Sequence, residues 1–166
     1  MFTTTNLLLL AAALATALIT GLLYAYSCSV NPGLGRLSAD RYIAAMQSIN
    51  KAIQNPLFFL SFFGAAILLP VSCYMEYRHL AGNRFYLLLA ASIFYLAGVI
   101  GVTVVGNVPL NEGLDKFNLA SADVAEAAKE KLAFMTRWNR FHTIRTIASF
   151  FSLLMVLIAC LYKEPE

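Results

Sequence analysis

The chain has 166 residues, of which 60% are hydrophobic and 13% are charged. Soluble domains carry about 25% charged residues, so this composition excludes an ordinary soluble protein and indicates an integral membrane protein. The formal net charge is +3, but basic and acidic side chains are interleaved and no RNA- or DNA-binding motif is present. We therefore expect no nucleic-acid partner.

Four apolar runs are long enough to cross a bilayer. They cover approximately residues 6–27, 56–75, 85–106 and 143–162, and a spanning helix needs roughly 17–25 residues. The sequence therefore predicts an all-α fold, a four-transmembrane-helix bundle forming one domain over residues 1–166 with the lipid bilayer around it. No Lys or Arg precedes the first run, so we interpret it as a retained span and not as a secretory signal.

The connections between these spans differ in length. A short turn containing Gly82-Asn83 joins the second and third spans. Residues 28–55 and 107–142 form much longer connections, which usually hold extra structure or a function. With four spans, both long connections lie on the same membrane side.

Each long connection is predicted to hold an additional amphipathic helix, over residues 38–54 and 121–140. Ser38 and Ser121 can start these helices, since serine is a favoured N-cap residue. In the second helix the charged face, including Lys131, is predicted to be solvated. The predicted apolar stripe of that helix consists of Val124, Ala128, Leu132 and Met135.

Short matches between the two halves suggest an internal two-hairpin duplication. Asn31-Pro32-Gly33-Leu34 follows the first span, and Asn107-Val108-Pro109-Leu110 follows the third. Parallel repeats are common in membrane folds, although matches this short also arise by chance. The duplication predicts that four asparagines lie near one membrane face: Asn31, Asn50, Asn107 and Asn139.

Three residues that share one helical side lie where the charged segment meets the last span. Trp138, His142 and Arg145 are spaced i, i+4 and i+7. One interpretation is an interfacial belt, in which Trp anchors at the lipid headgroups and Arg snorkels. The other is a functional site, because polar groups are costly to bury in a membrane. The asparagines predicted on the same membrane side favour the site.

Arg145 and His142 are the groups that could carry chemistry. A guanidinium inside an apolar run needs water, a lipid phosphate or an anion, and Glu112 and Asp115 are candidate partners within the chain. His142 is the only histidine on its membrane side, because His79 lies in the short turn. An imidazole can take a proton near neutral pH.

Other motifs are absent from the sequence. There is no H-x-x-x-H or C-x-x-C spacing, no G-x-G-x-x-G and no Walker loop, so we expect no metal and no cofactor. The three cysteines do not form a framework, and buried, inert thiols are favoured over a bond between Cys73 and Cys160. The basic residues are concentrated in the long connections, which the positive-inside rule places in the cytoplasm.

Three segments resemble the anthrone oxygenase-like (DUF1772) family of integral membrane proteins. They are Gly21 to Leu34, Asn107 to Asn111, and Arg137-Trp138-Asn139-Arg140 before the last span. The resemblance extends over nearly the whole chain. It implies a multi-pass protein of the bacterial inner (plasma) membrane and, as one possibility, a cofactor-independent oxygenase. Fungal relatives in this family oxidise anthrones to anthraquinones.

That implied chemistry needs a base, an oxyanion stabiliser and an apolar pocket. The alternatives are a protein that binds or carries a small apolar ligand such as a quinone, and a structural membrane subunit. For the oxygenase, His142 is the predicted base and Trp138 a stacking wall. The candidate catalytic residues are His142, Arg145, Asn139 and Asn107, and the candidate substrate-binding residues are Trp138, Asn111, Asn50, Asn31 and Tyr26.

Overall fold

A computed structural model describes residues 3–78 and 82–162 of the chain. Within those ranges the fold is helical and has no strand; His79 lies outside them. Four of the helices are long and apolar enough to cross a membrane, which confirms the predicted all-α fold of a multi-pass membrane protein. In chain order the helices are α1 (Thr4–Gly35), α2 (Ala39–Ala52), α3 (Pro56–Arg78), α4 (Asn83–Lys116) and α5 (Val124–Leu161).

The four spanning helices form a closed ring in chain order. α1 packs against α3, α3 against α4, α4 against α5, and α5 against α1. Small residues allow this close packing, since Ala12, Ala65, Ala91 and Ala159 are all completely buried. Large apolar side chains such as Leu18 and Leu60 point outward instead, as expected for a surface in contact with lipid.

Two of the spans contain wide π-helical turns near the long connections. In α1 the turn covers Tyr26–Val30, and in α4 successive turns cover Phe94–Gly101 and Thr103–Asn107. Pro32 and Pro109 follow closely, and a proline has no amide hydrogen to donate to the preceding turn. Wide turns of this kind occur frequently at functional sites.

The prediction of two additional amphipathic helices is not confirmed. Residues 121–140 form no separate helix, because α5 runs without interruption from Val124 to Leu161. Asp123 caps its N-terminus and forms a capping box with Glu126, and no Gly or Pro follows that could break the helix. By contrast, Pro56 separates α2 from α3.

The predicted apolar stripe of α5 is wrong in phase. Leu132 is 63% exposed and Val124 is 87% exposed, whereas Ala127, Phe134 and Trp138 are buried. The aromatic side chains of Phe134 and Trp138 therefore face the interior, where the prediction placed smaller aliphatic side chains. The series Val124, Ala128, Leu132 and Met135 is consequently not the packed face.

Lys131 is also not simply solvated. Its Nζ donates to the backbone carbonyls of Gly35 at 3.0 Å and Leu37 at 2.7 Å. It also lies 5.3 Å from the centre of the Tyr42 ring. Burial raises the pKa of the Tyr42 phenol to about 12, so this ring stays neutral beside the ammonium group.

A second apolar cluster lies next to the bundle on the side of the long connections. It joins α2, the end of α4 and the first half of α5, and its centre includes Ile43, Met46, Leu114 and Phe134. Gln47 connects two of these elements by donating to the carbonyls of Leu114 at 2.8 Å and Phe117 at 3.1 Å. This α2 cluster and the bundle meet at Trp138.

All three cysteines are free thiols. Cys73 is buried, whereas Cys28 and Cys160 are exposed. Cys73 and Cys160 therefore do not form a disulfide, as expected. The prediction that the thiols are buried is correct for Cys73 and wrong for Cys28 and Cys160.

Candidate functional site

Trp138, His142 and Arg145 form a continuous column on one side of α5. The rings of Trp138 and His142 are stacked, with centroids 5.1 Å apart and planes 12° apart. The Cζ atom of Arg145 lies 5.6 Å from the centre of the Trp138 ring, which is within the range of a cation–π interaction. Trp138 is only 5% exposed, so it does not line the outside of the bundle as a belt tryptophan would.

α1 contributes two neighbours of His142 from its wide turn. Ser27 Oγ lies 2.9 Å from His142 Nε2. The Tyr26 ring lies beside both His142 and Trp138, with centroids 6.1 Å and 6.2 Å away. Thr146, one turn further along α5, has its Oγ1 3.4 Å from the same Nε2 atom.

α4 contributes three further polar groups. Asn107 is 1% exposed and its Nδ2 donates to the Trp138 carbonyl at 3.3 Å. Asn111 Oδ1 accepts from the Trp138 ring nitrogen at 2.9 Å. Arg145 Nη1 donates to Thr103 Oγ1 at 3.1 Å. Trp138 is thus contacted at its backbone carbonyl by Asn107, at its ring nitrogen by Asn111 and at its ring face by Arg145.

Arg145 has no carboxylate within 4 Å in the described part of the chain. Neither of the predicted partners pairs with it. Asp115 instead forms an ion pair with Lys51 at 2.9 Å, and Glu112 is exposed. The Arg145 cation, which lies within the apolar run, is therefore contacted by the Thr103 hydroxyl and the Trp138 ring instead of a carboxylate.

α4 and α5 approach each other closely on both sides of this cation. A Cβ atom on Gly106 would lie 2.6 Å from the Phe141 ring, and one on Gly98 would lie 2.4 Å from Ala148 Cβ. Phe141, Arg145 and Ala148 share one side of α5. Glycine at both positions of α4 therefore allows the close approach in which Thr103 reaches Arg145.

Three buried polar atoms of the cluster have no hydrogen-bond partner. They are Asn107 Oδ1, His142 Nδ1 and Arg145 Nε. Such groups are rare in native proteins and point to water, an ion or a ligand that would satisfy them. Together they offer a charged donor, an amide acceptor and a ring nitrogen to a bound molecule.

The model of one protein family, described as anthrone oxygenase, matches residues 58–155, which is more than half of the chain. The chain belongs to the anthrone oxygenase family. No curated protein and no solved structure matches the chain.

The match to the family covers most of the cluster. Asn107, Trp138, His142 and Arg145 lie within the matched residues, and Tyr26 and Ser27 lie before them. Within the described ranges, no group of three or more His, Cys, Asp or Glu side chains could hold a metal ion.

Most of the predicted site residues come together. Hydrogen bonds and ring contacts join six of them: His142, Arg145, Trp138, Asn107, Asn111 and Tyr26. Three asparagines form no side-chain hydrogen bond with this cluster. Asn31 and Asn139 are half-buried, and Asn50 is buried on α2 with its Nδ2 unpaired. Their roles remain predictions.

Three residues of the cluster were not predicted from the sequence: Ser27, Thr103 and Thr146. Each is a hydroxyl residue within or beside an apolar run. One signal was available, because Thr103 lies four residues before Asn107 and Thr146 lies four residues after His142. On a helix these spacings place each hydroxyl on the same side as a candidate.

Proposed function

We propose that the protein oxidises a flat phenolic or anthrone-type molecule with dioxygen at the His142–Arg145 cluster. One observation carries this proposal: a permanent cation without a carboxylate partner stands beside an imidazole that has an unpaired ring nitrogen. An enolate supplies the anion that this cation lacks, and its formation uses the imidazole as a base.

The reaction on an anthrone consumes one dioxygen and releases one water. His142 takes a proton from the CH₂ carbon, and the charge moves to the carbonyl oxygen, where Arg145 stabilises it. The enolate passes one electron to dioxygen, and the resulting radical and superoxide combine into a peroxide at the same carbon. The protonated base returns its proton to the peroxide. Loss of water then gives the anthraquinone.

The surrounding residues support this chemistry by excluding water. His142 is 2% exposed and Asn107 is 1% exposed, and electrostatic interactions are stronger in such a dry site. Asn107 uses one N–H on the Trp138 carbonyl and keeps a second one for the substrate oxygen. Because His142 is almost completely buried, we expect a substrate to displace a neighbouring side chain on entry.

The proposal is tested by oxygen uptake and anthraquinone absorbance after the protein in lipid nanodiscs is mixed with a hydroxylated anthrone. Uptake in empty nanodiscs gives the spontaneous rate. We expect one dioxygen per quinone, and a rate about 10²- to 10⁴-fold lower in His142→Ala, which loses its general base. The matched control is Thr143→Val, which changes an exposed neighbour on the same helix.

Three other outcomes would change the conclusion. Equal rates for the parent protein and His142→Ala would remove the base assignment. A co-purifying quinone identified by mass spectrometry, with no oxygen uptake above that of empty nanodiscs, would identify a carrier. Absence of both activity and ligand would favour a structural subunit.

A further inference from the structure

Two hydroxyl groups surround the Nε2 atom of His142. Ser27 Oγ lies 2.9 Å from it and Thr146 Oγ1 lies 3.4 Å from it. Each hydroxyl carries one hydrogen and can also accept. The direction of these bonds decides which ring nitrogen holds the proton of the neutral imidazole.

Each hydroxyl also has a backbone carbonyl within hydrogen-bonding distance. Ser27 Oγ lies 3.2 Å from the Leu23 carbonyl, and Thr146 Oγ1 lies 2.9 Å from the His142 carbonyl. A carbonyl oxygen can only accept, so each hydroxyl donates to its own backbone. Both hydroxyl oxygens are then left to accept from Nε2. Ser27 Oγ and Thr146 Oγ1 lie 3.4 Å apart, and neither has a second hydrogen to donate to the other.

The tautomer that carries its hydrogen on Nδ1 of His142 is disfavoured. His142 Nδ1 is buried and has no partner. A hydrogen there would be a buried donor without an acceptor, which is costly. The stacked Trp138 ring, 5.1 Å away, also restricts rotation of the imidazole.

We infer that Nδ1 of His142 is the atom that accepts the substrate proton, and that Ser27 and Thr146 are positioning residues that keep the hydrogen on Nε2. The proton-accepting role rests on the proposed function, whereas the tautomer is a property of the resting protein. During the reaction Nε2–H remains bonded to Ser27. The proton taken from carbon resides on Nδ1 until it passes to the peroxide.

The tautomer can be read directly from the nitrogen NMR shifts of the ring. The chain has 2 histidines, so His79→Gln leaves His142 as the only source of signal. With ¹⁵N-labelled histidine in lipid nanodiscs, we expect a protonated-type shift for Nε2 and an unprotonated-type shift for Nδ1. The reverse assignment would overturn the inference.

The positioning role is tested by removing the hydroxyls. In Ser27→Ala/Thr146→Val, Nε2 loses both acceptors, so we expect the two nitrogen signals to shift toward a mixture of tautomers. Ser27→Thr keeps a hydroxyl and should retain the parent spectrum. The matched control is Ser61→Ala, because Ser61 makes the same bond to its own backbone, at Leu57, in a different span. An unchanged spectrum in the double variant would refute the role of both residues.

Kinetics separate this inference from the proposed function. If both hold, the double variant should lower kcat about tenfold with KM unchanged, a part of what a general base contributes. A protein that shows the expected spectrum but consumes no oxygen would refute the proposed function and leave the tautomer assignment standing. Normal oxygen uptake with hydrogen on Nδ1 would refute the inference alone.

Discussion

Arg145 is a poorly compensated cation within the helix bundle. Its Nε is buried without a partner, and its guanidinium otherwise contacts the Thr103 hydroxyl and the Trp138 ring. Burial of a charge without a counter-ion opposes folding. Under the proposed function this unfavourable burial is offset by the anion that Arg145 binds, in keeping with the general trade of stability for activity.

This role of Arg145 predicts opposite effects on stability and function. Arg145→Met removes the buried charge and keeps a long apolar side chain, so the melting temperature in the same detergent should be unchanged or higher. Oxygen uptake with an anthrone should fall about 10²- to 10³-fold, as when one oxyanion donor is removed. Arg140→Met, on an exposed part of the same helix, serves as the control and should alter neither property. A lower melting temperature for Arg145→Met alone would show a structural role.

At the residue scale, the column on α5 could be predicted from the sequence, and helical spacing also pointed to Thr103 and Thr146, but Ser27 could not be predicted. The spacing of Trp138, His142 and Arg145 is enough to place them on one helical side. Ser27 could not be selected in this way, because a serine or threonine within a span usually bonds its own backbone. Thr16 and Ser92 do only that. Which hydroxyl also meets a histidine depends on how α1 packs against α5.

At the scale of helices, the contact between α4 and α5 depends on two glycines. Gly98→Ala would place its Cβ 2.4 Å from Ala148 Cβ, so the helices must separate. We expect a loss of about 1–3 kcal/mol in the free energy of unfolding, as for other overpacked cores. Thermal or denaturant unfolding in the same detergent measures this.

A compensating change tests the cause. Gly98→Ala combined with Ala148→Gly moves the methyl group to the other helix and should recover most of the stability. Gly21→Ala is the control, because nothing lies within 4 Å of a Cβ at that position. Equal effects of Gly98→Ala and Gly21→Ala would mean that the close approach does not matter.

The helix boundaries show where pattern reading succeeds and where it fails. Pro56 made the end of α2 predictable, because a proline restricts the residue before it. No comparable break separates residues 121–140 from the last span, so the change from charged to apolar composition was mistaken for a helix end. The composition of a helix reflects whether water or lipid surrounds it, whereas its length depends on where a residue such as proline or glycine interrupts the backbone.

At the scale of the whole molecule, the orientation in the membrane and the bacterial inner membrane as its location remain predictions. The positive-inside rule places the long connections in the cytoplasm. In a cysteine-free background, Asn83→Cys should react with a membrane-impermeant maleimide in spheroplasts. Lys129→Cys, on the side of the long connections, should react only after permeabilisation. Both positions are exposed, and the reverse pattern of labelling would invert the topology.

The internal duplication also remains a prediction. The wide turns at Tyr26–Val30 and Thr103–Asn107 occupy comparable places before Pro32 and Pro109. The halves then differ, since α2 ends before α3 but the corresponding part of α5 does not. Superposition of the two halves in an experimental structure would decide whether they are related.

The close approach of α4 and α5 at Gly98 and Gly106 affects how a molecule could reach the site. They close the seam between α4 and α5 on both sides of Arg145, whereas Ser27 on α1 is exposed. We therefore expect a substrate of the proposed reaction to reach His142 along α1, from the lipid leaflet. Its relevant concentration is then the one dissolved in the membrane, so the apparent KM should follow the amount of lipid in the assay as well as the total substrate added.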